Sequence, residues 1–200
     1  MGNNSTWASV TGNLYKGVLI QVLCNIAVAI FAFIGGLSAF GDLANGDFAG
    51  AVTWGFWDYM ELAASIGAIY GFWMFFSNLN PWKRLADPAD AKAISSIYIA
   101  TLLQIIAIIF SFIPLLGIVG TILSIVAWVM LLLAYSNLKN SATFPEMARA
   151  GAGKIFTAMI LNLVGLIICW IPIIGIISVL FSIFALVMTL NGWKLISKAE

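Results

Sequence analysis

The chain has 200 residues, of which 62% are apolar and 8% charged, and its mean hydropathy is +1.06. Nine basic and eight acidic side chains cannot cover a core that large with a water-exposed shell, so a soluble globular enzyme and a disordered chain are both excluded. Histidine is absent, which takes away the commonest metal ligand, bis-histidine haem and the usual general base, and no cofactor or metal is expected.

Residues 1–12 read as a short polar tail. Beyond them, charge-free runs cover residues 17–41, 62–82, 93–138 and 155–193, where about 20 residues suffice to cross a bilayer. The last two runs are double length. Each is broken by proline and glycine, Pro114 with Gly117 and Pro172 with Gly175, a pattern that marks a tight turn. The spacing predicts an all-α integral membrane protein with six transmembrane helices, at about 17–40, 60–79, 91–113, 116–138, 153–171 and 174–193. Barrel strands are excluded because these runs are continuously apolar, whereas a barrel strand alternates polar and apolar side chains.

The first span carries two amides, Gln21 and Asn25, on one stripe. The segment that follows, 41–61, holds Asp42, Asp47, Asp58 and Glu61 together with Phe48, Trp54, Phe56, Trp57 and Tyr59. Asp58 and Glu61 share a face if the second helix begins early, and carboxylates beside Trp57 offer a cage for a cationic or amphipathic ligand. The same aromatics also suit an ordinary interfacial belt. In the second span Ala63, Gly67 and Gly71 recur every fourth residue and form a small-residue face for close helix packing, within the chain or against another membrane protein.

Further along, Asp87-Pro88 predicts a capped helix start, and Thr143 with Glu146 fits a capping box. Cys24 and Cys169 lie at different depths and are expected to remain unpaired. Gly151-Ala152-Gly153-Lys154 is too short for a phosphate loop.

The chain also repeats itself. Residues 112–139 match 170–197, with 10 of 28 pairs identical, and the punctuating Pro114, Gly117 and Ser124 fall on Pro172, Gly175 and Ser182. At related offsets the first helices and Ser65 join the pattern. The economical reading is a single membrane domain, 1–200, made of three tandem helical hairpins at about 14–80, 88–139 and 153–197, the first with the long outer loop 41–61. All nine Lys and Arg fall on one face of this arrangement, with Asp87, Asp90, Glu146 and Glu200, while the other face carries only Asp42, Asp47, Asp58 and Glu61. The positive-inside rule then puts both termini in the cytoplasm and the chain in a cytoplasmic (inner) membrane.

Superposing the hairpins aligns Asn25, Gln104 and Asn162, one strong amide per first helix, at about 12–18 Å from the inner charges at helical rise. Such amides need partners in hydrocarbon, either as clamps between helices or as hydrogen-bonding groups for a solute. No acid, base or metal constellation stands within the spans, so an enzyme is not expected. The function read from these residues is binding or transport of a small neutral or amphipathic solute. The alternative is an accessory or structural subunit that docks on a membrane protein through the Gly67 and Gly71 face. Membrane lipids are expected partners and nucleic acid is not.

Overall fold

A computed structural model describes residues 6–113, 116–169 and 175–199. Among them are seven helices: α1 (Trp7–Ala44), α2 (Phe48–Val52), α3 (Phe56–Leu85), α4 (Pro88–Ser111), α5 (Gly117–Asn140), α6 (Glu146–Ile168) and α7 (Gly175–Lys198). All but the short α2 are long and apolar enough to cross a membrane, the property that defines an integral membrane protein. Pro114 and Pro172, on which the two tight turns are predicted, lie outside the described residues.

Several boundaries depart from the sequence reading. The expected polar tail is helical from Trp7, because Val10, Thr11 and Leu14 are buried and the Thr11 hydroxyl donates back to the Trp7 carbonyl at 2.7 Å. Segment 41–61, expected as a long loop, is mostly helix: α1 continues to Ala44, Asp47 caps α2 by accepting from the Gly50 N–H at 2.8 Å, and α3 starts at Phe56. Asp87 caps α4 through the Ala89 N–H at 2.9 Å, with Pro88 at the first helical position. The capping box at α6 does not form. Pro145 occupies the cap position without a side-chain bond, and the Thr143 hydroxyl donates instead to Asp90 at 2.9 Å. Asp90 is 3% exposed, and a buried carboxylate draws a donor more strongly than a solvated helix end does.

The chain divides into two compact units, residues 16–75 and residues 1–15 with 76–200. In the first, α1 and α3 meet through glycine. A Cβ on Gly71 would lie 2.6 Å from the Gln21 nitrogen and 2.7 Å from the Gly17 carbonyl oxygen, and one on Gly17 would lie 2.7 Å from the Gly71 carbonyl oxygen. Only hydrogen fits at both positions, so the two backbones touch, which is how helices associate when lipid removes the hydrophobic drive between them.

In the second unit α4 packs on α5, α5 on α6 and α6 on α7. Small buried residues recur at seven-residue intervals in all four helices: Ala93, Ala100 and Ala107; Gly120, Ala127 and Ala134; Gly151, Ala158 and Gly165; Ala185 and Gly192, with Ala199 following just past the end of α7. A seven-residue period keeps one seam facing its partner along a whole helix, and small side chains let the seam close tightly. At its tightest, Gly151 and Gly192 oppose each other, and a Cβ on either would come within 2.5–2.7 Å of the other's carbonyl oxygen. Near the charged ends the small residues give way to aromatics. Trp82, fully buried, meets Trp7, Phe144 and Trp193 at ring separations of 5.7–6.3 Å, and Tyr135 meets Trp193. The Trp7 indole N–H reaches the Ile196 carbonyl at 3.3 Å.

Candidate functional site

Two recesses bring together residues of the kinds singled out in the sequence, one in each unit. The first is formed by the end of α1, α2 and the start of α3. Gly35, Ser38 and Asp42 supply one wall, and Trp54, Trp57 and Asp58 the other, around a cavity of about 410 Å³. A side recess of about 290 Å³ is lined by Trp54, Asp58, Glu61, Leu62 and Ser65. Trp57, Asp58 and Glu61 thus all contribute to this region, with Asp58 and Glu61 three residues apart on the first turns of α3.

Local chemistry holds the walls. Gly55 donates its N–H to the Asp58 carboxylate at 2.6 Å, which orders the turn ahead of α3. Trp57 stacks on Phe31 at 6.0 Å and meets the edge of Phe56 at 5.2 Å, so its indole is fixed from two sides. Trp54 pairs edge-on with Tyr59 at 5.7 Å. Asp42 sits beside α2: a Cβ on Gly50 would be 3.4 Å from its carboxyl carbon. Trp54, Asp42 and the glycines were not singled out by the sequence reading as site residues. The signal in the sequence is the concentration of acids and aromatics in one segment, but the spacing of charges ends the first predicted span at residue 40, before Asp42.

The second recess lies between α5 and α6, a cavity of about 490 Å³ lined by Thr121, Ser124, Trp128, Asn162, Leu163 and neighbouring apolar side chains. Asn162 is exposed on α6, eight residues beyond Lys154, which places it roughly 12 Å along the helix. The lining combines a few polar groups with a mostly apolar wall, the composition of small-molecule sites in general. Lys139 lies 3.7 Å over the ring of Phe156 and ties α5 to α6 nearer their charged ends.

The other amides are placed differently. Gln104 is half-buried on α4, a helix that packs on α5, and no hydrogen bond joins it to Asn162 among the described residues. Asn25 is exposed on α1, and Gln21 contributes its backbone to the close approach with Gly71. Along the small-residue stripe of α3, Ala63 is exposed, Gly67 half-buried against the Cys24 sulfur and Gly71 buried against α1. This face is therefore occupied within the chain. Cys24 and Cys169 are both free thiols. Among the described residues no group of three or more acidic or cysteine side chains is gathered as a metal site.

No protein family, curated protein or solved structure matches the chain.

Proposed function

We propose that the protein is a non-enzymatic membrane protein that binds or transports a small neutral or amphipathic solute, seated between the second and third hairpins. The observation that carries this reading is the cavity between α5 and α6, where Asn162 offers both donor and acceptor beside the Ser124 and Thr121 hydroxyls in an otherwise apolar wall. An amide there gives orientation to a ligand whose body is held by apolar contact.

Three tandem hairpins with both termini cytoplasmic form the framework of this proposal. What supports a repeat is burial at matched positions 58 residues apart: Ala93 and Gly151, Ile97 and Ile155, Ala100 and Ala158, Ala127 and Ala185, Tyr135 and Trp193, Leu138 and Ile196 are all buried. What supports the orientation is the one-sided distribution of Lys and Arg. The accessory-subunit alternative drew on the Gly67 and Gly71 face; with α1 packed there, a partner protein needs another surface.

The test is native mass spectrometry of the protein extracted gently from its own membrane, as wild type and as Asn162→Asp and Leu163→Trp. A charge at Asn162 penalises a neutral ligand by desolvation, and tryptophan at 163 fills the cavity. A reproducible non-lipid adduct on the wild type, lost from both variants, is the expected result. An adduct retained by both removes the site, and a stable complex with another protein in place of any adduct favours the accessory role.

A further inference from the structure

Outside the cavity between α5 and α6, the geometry points to a second binding site, for an organic cation with an apolar body, in the pocket between the end of α1 and the start of α3. The inference does not rest on the Asn162 cavity, which lies in the other compact unit.

Three observations on different footings converge there. The first is space: a recess of about 410 Å³ is bounded by elements whose positions are set by their own caps and ring contacts. That volume suits a compact organic molecule and is far larger than an inorganic ion, and the described residues gather no metal-binding set. A hard divalent cation wants six or more oxygens at close range, which a pocket walled by Trp54 and Trp57 does not supply.

The second is unbalanced charge. Asp42 and Asp58 both line the pocket, and Glu61 lines the adjoining recess, yet the chain has no Lys or Arg between Lys16 and Lys83. Lys16 and Asp42 are on the same continuous helix, 26 residues apart and hence about 39 Å at helical rise. That is several Debye lengths at physiological salt. Within its unit the pocket therefore has no internal counter-ion. The Asp58 carboxylate accepts from Gly55, whereas the bonds that Asp42 accepts, from the Asn45 and Asp47 N–H groups, go to its backbone carbonyl and none goes to its carboxylate among the described residues.

The third is the aromatic wall. Trp54 and Trp57 stand beside these carboxylates, and an indole face attracts a cation through its ring quadrupole while covering the apolar part of the same molecule. Carboxylate and indole together select a substituted ammonium over both a bare metal ion and an uncharged analogue. The same pair disfavours anions.

The test compares benzyltrimethylammonium with neopentylbenzene, its uncharged carbon isostere, by calorimetric titration of the full chain in lipid nanodiscs. The first comparison needs only the wild-type protein. Binding of the cation at least about tenfold tighter than the isostere is expected. Asp42→Asn and Trp54→Leu then probe the wall, because Asp42 caps nothing and Trp54 is 63% exposed. Each is expected to weaken the cation about tenfold, while Asn162→Asp leaves it unchanged. Equal affinity for the two probes, no binding of the cation, or wild-type affinity in both wall variants overturns the assignment. So does calcium chloride displacing the cation with equal potency in wild type and Trp54→Leu, which marks an inorganic site. Loss of the Asn162 adduct with the ammonium site intact, or the reverse, separates the failure of one proposal from that of the other.

Discussion

At Gly151 and Gly192 a single hydrogen on each residue keeps two backbones in contact, and replacing it forces a β-carbon to within 2.7 Å of the opposite carbonyl. Backbone atoms cannot swing aside as a side chain can, so Gly192→Leu is expected to lower stability by about 2 kcal/mol or more. The contrast is Gly36, where nothing lies within 4 Å of an added Cβ. Gly36→Ala should raise stability by about 0.5–1 kcal/mol through helix propensity and a less flexible unfolded chain. Thermal melts of the solubilised protein check both signs; an equal effect of the two substitutions would refute the backbone-contact account. The sequence pointed to Gly71 through its fourth-residue stripe but missed Gly151 and Gly192, because glycine composition does not say which glycine faces a neighbour. Ala63 illustrates the converse: it belongs to the stripe by spacing and is exposed in the structure.

Among elements, the residues that precede α4 and α6 make different demands. Asp87 serves its own helix, so Asp87→Ala should cost about 1 kcal/mol and loosen the first turn of α4. Thr143 serves a different helix from the one it precedes, since its hydroxyl holds the buried Asp90. Thr143→Val leaves that carboxylate without this donor and should cost about 1–3 kcal/mol, with faster amide exchange in residues 141–144. Hydrogen exchange resolved by segment distinguishes the two: loosening confined to α4 in Asp87→Ala, extending to 141–144 in Thr143→Val. The cap at Asp87 was legible because an Asp-Pro pair acts within a few residues. The fate of Thr143 was not legible, because Asp90 is 53 residues away in the chain and only the fold brings it near.

For the molecule as a whole, orientation is the property most open to a direct experiment. In a Cys24→Ser, Cys169→Ser background, Gly46→Cys should react with a membrane-impermeant maleimide from the outside only, and Ala142→Cys from the cytoplasmic side only. The reverse pattern would invert the topology. The sequence by itself determined the membrane character, the number of spanning helices and where charge interrupts them, since hydrocarbon forces backbone hydrogen bonding into long apolar helices whatever their neighbours are. It also held, unread, the seven-residue recurrence of small residues in α4 to α7. Only the tertiary structure decided that α1 closes the Gly67 and Gly71 face, that Asn162 opens on a cavity which Gln104 does not share, and that Asp42, Trp54, Trp57 and Asp58 line one pocket. Those are contacts between residues distant along the chain, and in a bilayer, where nearly every face is apolar, hydrophobic pattern alone does not distinguish the face that meets lipid from the face that meets protein.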